Sequence, residues 1–324
     1  MKIKISALAI GLALAGASAV SVTAQATYPE RPVRIVVPFP AGSGTDIVAR
    51  ELAEEMAKDF KQPVVIDNKG GAQGIIGVQA AATSAPDGYT LVILGVTTGA
   101  SNVSLYKKLP YDPMRDLTPV GMIADSPIVL VGSPKLAANS LGELLRYGRE
   151  HPGKLTYGYG SGSAQVAAAR LVSLGKLEAV PVAYKGSPQA LMDVMAGQVD
   201  FMFVDLSVAV KQMEAGQIKA FGVSTKERFP QAPNIPSIHE AGLAGYDLSV
   251  WFAMAGPAGM PAEVTERVST ALNNALKSPA LIEKFAGKGL AAKTSTPADF
   301  ATFLKKEIGT WGMMIREAGI PPQE

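Results

Sequence analysis

The chain has 324 residues, 48% apolar and 18% charged, with no cysteine and two histidines. This is a globular composition, long enough for about two domains of ~100–200 residues. Without cysteine there is no disulfide, no thiolate metal site and no cysteine nucleophile.

Residues 1–26 run from Lys2 and Lys4 through an apolar stretch, 5–22, to Ala24-Gln25-Ala26. That is the pattern of a secretory signal, with cleavage expected after about Ala26. Its small-residue content and marginal length argue against a membrane anchor. The formal charge of +2 falls to zero once Lys2 and Lys4 are set aside, leaving 28 basic and 28 acidic side chains. A neutral chain lacks the positive excess that nucleic acid or an anionic membrane attracts.

The elements then alternate. Residues 33–37 form a β-branched run ended by Pro38, which predicts a strand. Residues 45–60 place Val48, Leu52, Met56 and Phe60 four apart on one helical face. Strands follow at 64–66 and 91–94, with a helix over 74–83 between them. The pattern repeats with strands at 129–131, 155–157, 180–183, 201–204 and 218–223, and helices at 141–150, 163–174 and 190–195. From Pro261 the tail is almost all helical, over 264–276, 280–285 and 298–317. Continuous apolar runs separated by helices predict an α/β fold of two units, each a mostly parallel sheet flanked by helices. The chain is expected to cross between the units near 124–128 and 249–253, which makes the first unit discontinuous and the crossings a hinge.

Two loops stand out. Pro38-Phe39-Pro40-Ala41-Gly42-Ser43-Gly44-Thr45-Asp46 and Gly158-Tyr159-Gly160-Ser161-Gly162-Ser163 both join a strand to a helix. Small residues let backbone N–H groups approach a ligand, and a helix N-terminus adds free donors and partial positive charge. Each loop is thus a candidate site for a carboxylate or phosphate. The bland alternative is a pair of tight turns capped by Thr45 and Ser163, with Asp46 a structural carboxylate. Neither loop has the G-K-[ST] ending of a P-loop, and Ile47 and Gln165 break the dinucleotide glycine pattern. His151 reads as a loop residue and His239 as part of a short surface helix. Two distant histidines suggest no metal site and no catalytic triad.

The mature chain resembles the substrate-binding proteins of tripartite tricarboxylate transporters, the Bug family of periplasmic solute receptors. The resemblance rests on Tyr28-Pro29-Glu30-Arg31-Pro32, PFPAGSGTD at 38–46, PDGYTL at 86–91 and Tyr184-Lys185-Gly186-Ser187. It continues with GQVDFMF at 197–203, EAGLAGYD at 240–247, GPAGMP at 256–261 and the closing segment 303–320. It implies a two-lobed, type II-like Venus flytrap: lobe one is 27–127 plus 252–324, lobe two is 128–251. It implies a small organic acid, aromatic or dicarboxylic, held in the cleft, delivery to a two-component membrane permease, no cofactor, no metal, no catalysis and a monomer. By position, the ligand contacts implied are Phe39, Ala41, Gly42, Ser43, Thr45 and Asp46 from lobe one. Lobe two supplies Tyr159, Gly160, Ser161, Gly162, Ser163 and Asp205, and the loop after a lobe-one strand supplies Thr97 and Thr98.

Departures from the family pattern are Ser43 in place of a glycine, a shorter second loop, and Val166 where a histidine is usual. Tyr159 stands where a small residue is common, which points to a ligand with an aromatic or apolar body. Two other functions remain open at this point: a module that signals to a membrane receptor, and a secreted hydrolase. The hydrolase lacks a recognisable nucleophile and base.

Overall fold

The computed structural model describes residues 28–324, so the expected signal segment lies outside the described residues. From β1 (Val33–Val37) the chain runs through α1 (Gly44–Phe60), β2 (Val64–Asn68), α2 (Ile75–Ala82) and β3 (Thr90–Gly95). A π-helical turn at Thr97–Ser101 leads into the short α3 (Asn102–Leu105) and the long β4 (Leu117–Ser126). Next come β5 (Ile128–Gly132), α4 (Leu141–Glu150), β6 (Leu155–Tyr159), α5 (Gly162–Gly175) and β7 (Ala179–Ala183). They are followed by α6 (Ser187–Ala196), β8 (Phe201–Asp205), α7 (Leu206–Glu214) and β9 (Lys219–Val223). The chain ends with β10 (Val250–Pro257), α8 (Ala262–Leu276), α9 (Pro279–Ala286), β11 (Ala291–Ala292) and α10 (Pro297–Glu317).

The strands form two sheets, in the orders β11-β4-β10-β3-β1-β2 and β7-β6-β8-β5-β9. Both sheets are mixed. β1 is parallel to β2 and β3, and β6 is parallel to β7 and β8. These are the strands that helices separate, and a parallel pair needs such a crossover. β10 and β5 are antiparallel to their neighbours, because they enter along the passages between the sheets instead of after a packed helix. β4 was not legible as a strand: Pro119 and Gly121 interrupt its apolar run.

Alternate residues of the inner strands feed opposite faces. Ile35, Leu91 and Ile93 pack with Leu52 and Met56 of α1 and Leu272 of α8, whereas Val36, Val92 and Leu94 join Val78 of α2 and Phe300 and Leu304 of α10. A sheet covered on both sides needs apolar residues at every position, which is what these runs provide. The second of these clusters continues into the other sheet through Leu130, Phe201 and Phe203.

The chain passes from the first sheet to the second at Ser126-Pro127-Ile128 and returns just before Val250. Buried Ser224 ties the two passages together. Its Oγ accepts from Ile128 N at 3.2 Å and donates to the Leu248 carbonyl at 2.7 Å. Among the described residues, no helix is long and apolar enough to cross a membrane. His239 lies in a turn, not a helix, with its Nδ1 accepting from Gly245 N at 3.0 Å.

Candidate functional site

β1 and β3 of one sheet and β6 and β8 of the other end around a single cavity, the usual place for ligands in α/β folds. The two glycine loops face each other across it. α1 begins at Gly44, and Ser43 Oγ accepts from Asp46 N at 3.3 Å. α5 begins at Gly162, and Ser161 Oγ accepts from Ala164 N at 3.3 Å. The caps are thus Ser43 and Ser161, two residues upstream of the expected Thr45 and Ser163. Both serines hold extended backbone, and each hydroxyl reaches the third N–H of its helix. Among the described residues, the N–H groups of Gly44, Thr45 and Gly162 are left without a protein partner. They are the orphan donors of two helix N-termini whose neighbouring residues, Ser43, Thr45, Ser161 and Ser163, line one cavity.

The first loop is braced from behind. Asp46, only 3% exposed, accepts from Gly42 N, Arg50 Nε and Asn68 Nδ2, each at 2.9 Å. Burial alone would raise its carboxyl, but the hydrogen bonds from Arg50, Gly42 and Asn68 outweigh it and hold the group below the usual carboxylate range. Asn68 also donates to the Phe39 carbonyl at 3.1 Å. Gly42 needs its positive φ of 81° to turn its N–H onto Asp46.

The second loop is held by hydroxyls. Ser163 N donates to Thr97 Oγ1 at 3.1 Å, and the Thr97 and Ser163 hydroxyls lie 3.2 Å apart. This contact joins the two sheet units directly. So do Gln73 Nε2 to Gln165 Oε1 at 3.3 Å and Arg170 Nη1 to Glu317 Oε2 at 3.1 Å. Gly160 sits so close to the neighbouring loop that a Cβ would lie 2.2 Å from the Gly186 carbonyl carbon.

Of the expected contacts, Phe39, Ser43, Thr45, Thr97, Ser161, Ser163 and Asp205 line the cavity, while Gly162 contributes its position at the α5 terminus. The other six do not line it. Ala41 and Gly42 are exposed on the rim. Asp46 faces the bracing network. Thr98 is buried and turned back on Gly95, its Oγ1 accepting from Gly95 N at 3.3 Å. Gly160 is a packing position. Tyr159 lies with its ring centroid 6.4 Å from that of Tyr157, and the aromatic wall is made by Phe39, Trp251 and Phe252. Trp251 is fixed by Glu307, whose Oε2 accepts from Trp251 Nε1 at 2.9 Å and from Trp311 Nε1 at 3.1 Å.

Gly95, Val96, Ser187, Val250, Trp251 and Phe252 were missed as lining residues. Ser187 had a readable signal, since it opens a helix after a strand as Ser161 nearly does. The aromatic pair had none, because β10 reaches the site only through antiparallel pairing set up far away in sequence. Among the described residues, no group of three or more acidic or histidine side chains could hold a metal.

A model of the tripartite tricarboxylate transporter family receptor matches residues 48–320. The chain belongs to this receptor family. BugT of Bordetella pertussis is 34% identical over 313 residues, which is 96% of each chain. The R. palustris protein Rpa4515, solved with adipate, is 32% identical with a TM-score of 0.89, covering 91% of this chain and 100% of that one. MatC from Rhodopseudomonas palustris, solved with bound malate, is 31% identical with a TM-score of 0.84, covering 89% of this chain and 100% of its own. These relatives share the two-lobed fold, with the cleft between the lobes. In this family member the cavity between the two loops holds about 30 Å³, room for one water molecule.

Proposed function

We propose that this receptor captures a small organic carboxylate in the periplasm and delivers it to a two-component membrane permease. The observation that supports it most is the pair of helix N-termini, α1 and α5, which carry orphan N–H donors and begin beside one cavity. A carboxylate between them satisfies donors on both sides without any basic side chain. Rpa4515 and MatC, solved with adipate and malate, bind ligands of that chemistry.

The proposed contacts are the hydroxyls of Ser43, Thr45, Thr97, Ser161, Ser163 and Ser187, the Gly162 N–H and Asp205, with Phe39 and Trp251 as apolar walls. Asp46 positions the first loop. The lobes divide at 27–127 plus 252–324 and 128–251, with the hinge at the Ser224 stitch. A cavity of about 30 Å³ admits no organic acid, so entry requires the lobes to part. A ligand touching both lobes then favours their approach. The receptor acts as a monomer, without catalysis, after cleavage of its signal at about Ala26.

The test is thermal unfolding of residues 27–324 against a panel of organic acids, with amides and sugars as controls. A ligand that binds only the folded state stabilises by RT ln(1 + [L]/Kd), about 2.7 kcal/mol at 100 Kd. A selective shift with one class of acid is expected. Shifts with neutral compounds alone would overturn the reading.

A further inference from the structure

Among the described residues, Asp205 is the one carboxylate that lines the cavity. It closes β8 at the N-cap position of α7, yet its side chain does not cap that helix. It points across the cleft instead, so that a Cβ on Gly44 would lie 2.5 Å from Asp205 Oδ2. Among the described residues it has neither an ion pair nor a side-chain hydrogen bond, and only its own backbone N–H eases its charge. Among the described residues, the other polar side chains of the lining are hydroxyls and the Trp251 indole, which is engaged by Glu307, and none is Lys, Arg or His.

The charge balance decides what fits. The two helix N-termini contribute roughly half a positive charge each. One ligand carboxylate matches them. Asp205 adds a second negative charge, and a second ligand carboxylate beside it would have nothing to answer it. A buried charge without a partner is costly, and a donor brought by the ligand removes that cost.

We infer that the ligand bears, besides its carboxylate, an ammonium or hydroxyl group that donates to Asp205. The inference rests on the receptor reading of the same cavity and narrows it from organic acids to amino or hydroxy acids. Burial raises the Asp205 carboxyl to about 6, so the group is mainly ionised at neutral pH and is an acceptor there.

The experiment is titration calorimetry near pH 7.5 with matched acids of three to six carbons. Each skeleton carries one carboxylate and is offered unsubstituted, hydroxylated and aminated, for example propanoate, lactate and alanine. A hydrogen bond to a charged group corresponds to about tenfold or more in affinity. In the wild type the tightest acid is expected to carry the donor and to exceed its unsubstituted parent by about tenfold. In D205N that preference is expected to shrink below about threefold, and D205S, checked for folding by circular dichroism, is expected to do the same. A parent acid that binds as tightly as its substituted forms overturns the inference and leaves the receptor reading standing. A donor preference that survives both substitutions also overturns it. No binding by any acid overturns the receptor reading itself, and this inference with it.

Discussion

Asp46 sits behind the first loop with three hydrogen-bond donors on its carboxylate, whereas Asp205 faces the same loop across the cleft with none from another side chain. Asp46 is buried and Asp205 is partly buried in the cavity wall. Burial raises both carboxyls, and only for Asp46 do donors reverse the outcome. Partner count, not burial, separates a carboxylate that braces a backbone from one left available to a ligand.

Removing each one tests that contrast most directly. Asp46→Ala strands the Gly42 N–H and the Asn68 amide inside the loop, and is expected to cost about 3 kcal/mol of folding stability. The urea midpoint should fall at constant m-value. A loss under about 0.5 kcal/mol would show that the loop stands without its brace.

Asp205→Asn should move the other way. Burial raises the folded carboxyl to about 6, against about 3.9 for the unfolded one. The folded state therefore binds the proton more tightly, and stability falls as pH rises through about 4–6. The full cost, reached above that window, is about 2–3 kcal/mol. An amide still needs partners, so the ligand-free variant should gain about 1–2 kcal/mol near pH 7.5 and almost nothing near pH 4. Asp46, with its lowered pKa, contributes stability at neutral pH that is lost only on the acid side, as pH falls through its folded value. Melting temperatures of wild type and D205N from about pH 2 to 8 would read both limbs, the Asp205 limb between about pH 4 and 6 and the Asp46 limb on the acid side of it. Curves that run parallel would sink the assignment.

Gly44→Ala probes the space between the two carboxylates. Its Cβ would meet Asp205 Oδ2 at 2.5 Å, across the cleft, so the substitution should hold the lobes apart and weaken ligand binding about tenfold. Fold stability should change little, because alanine suits the first turn of a helix. Adding Asp205→Gly removes the opposing side chain. Lobe closure, followed by small-angle scattering with ligand, should then return to the double variant. An additive double variant would place the clash elsewhere.

Much of this was legible in the sequence for a physical reason. Runs such as 33–37 and 91–94 are apolar at every position because helices cover both faces of their sheet, and a serine-glycine step after a strand announces a capped helix. Asp46 and Asp205 were both visible as candidates, but their opposite environments were not. Those depend on Asn68 and Gly44, which lie 22 residues and one whole lobe away, respectively. Trp251 and Phe252 were hidden for the same reason. β10 is an antiparallel strand delivered by a long return passage, and local periodicity says nothing about where such a strand lands.

The smallest effect concerns the far side of the cleft. Arg170 of α5 and Glu317 of α10 form the pair that spans the lobes away from Asp205, with side-chain exposures of 18% and 55%. Glu317 is too exposed for the pair to exceed about 0.5 kcal/mol. Arg170 Nε is buried without a partner, so Arg170→Ala would mix lost packing with lost charge, and Glu317→Gln is the cleaner change. The contact exists only while the lobes are together, so its loss raises the closed state relative to the open one. Apparent ligand affinity should fall about twofold at low salt. At 1 M salt, where screening reaches about 3 Å, wild type and E317Q should converge. If the two bind alike at low salt, the lobes are held shut by the Thr97–Ser163 and Gln73–Gln165 contacts, the shared apolar cluster and the ligand, without help from this ion pair.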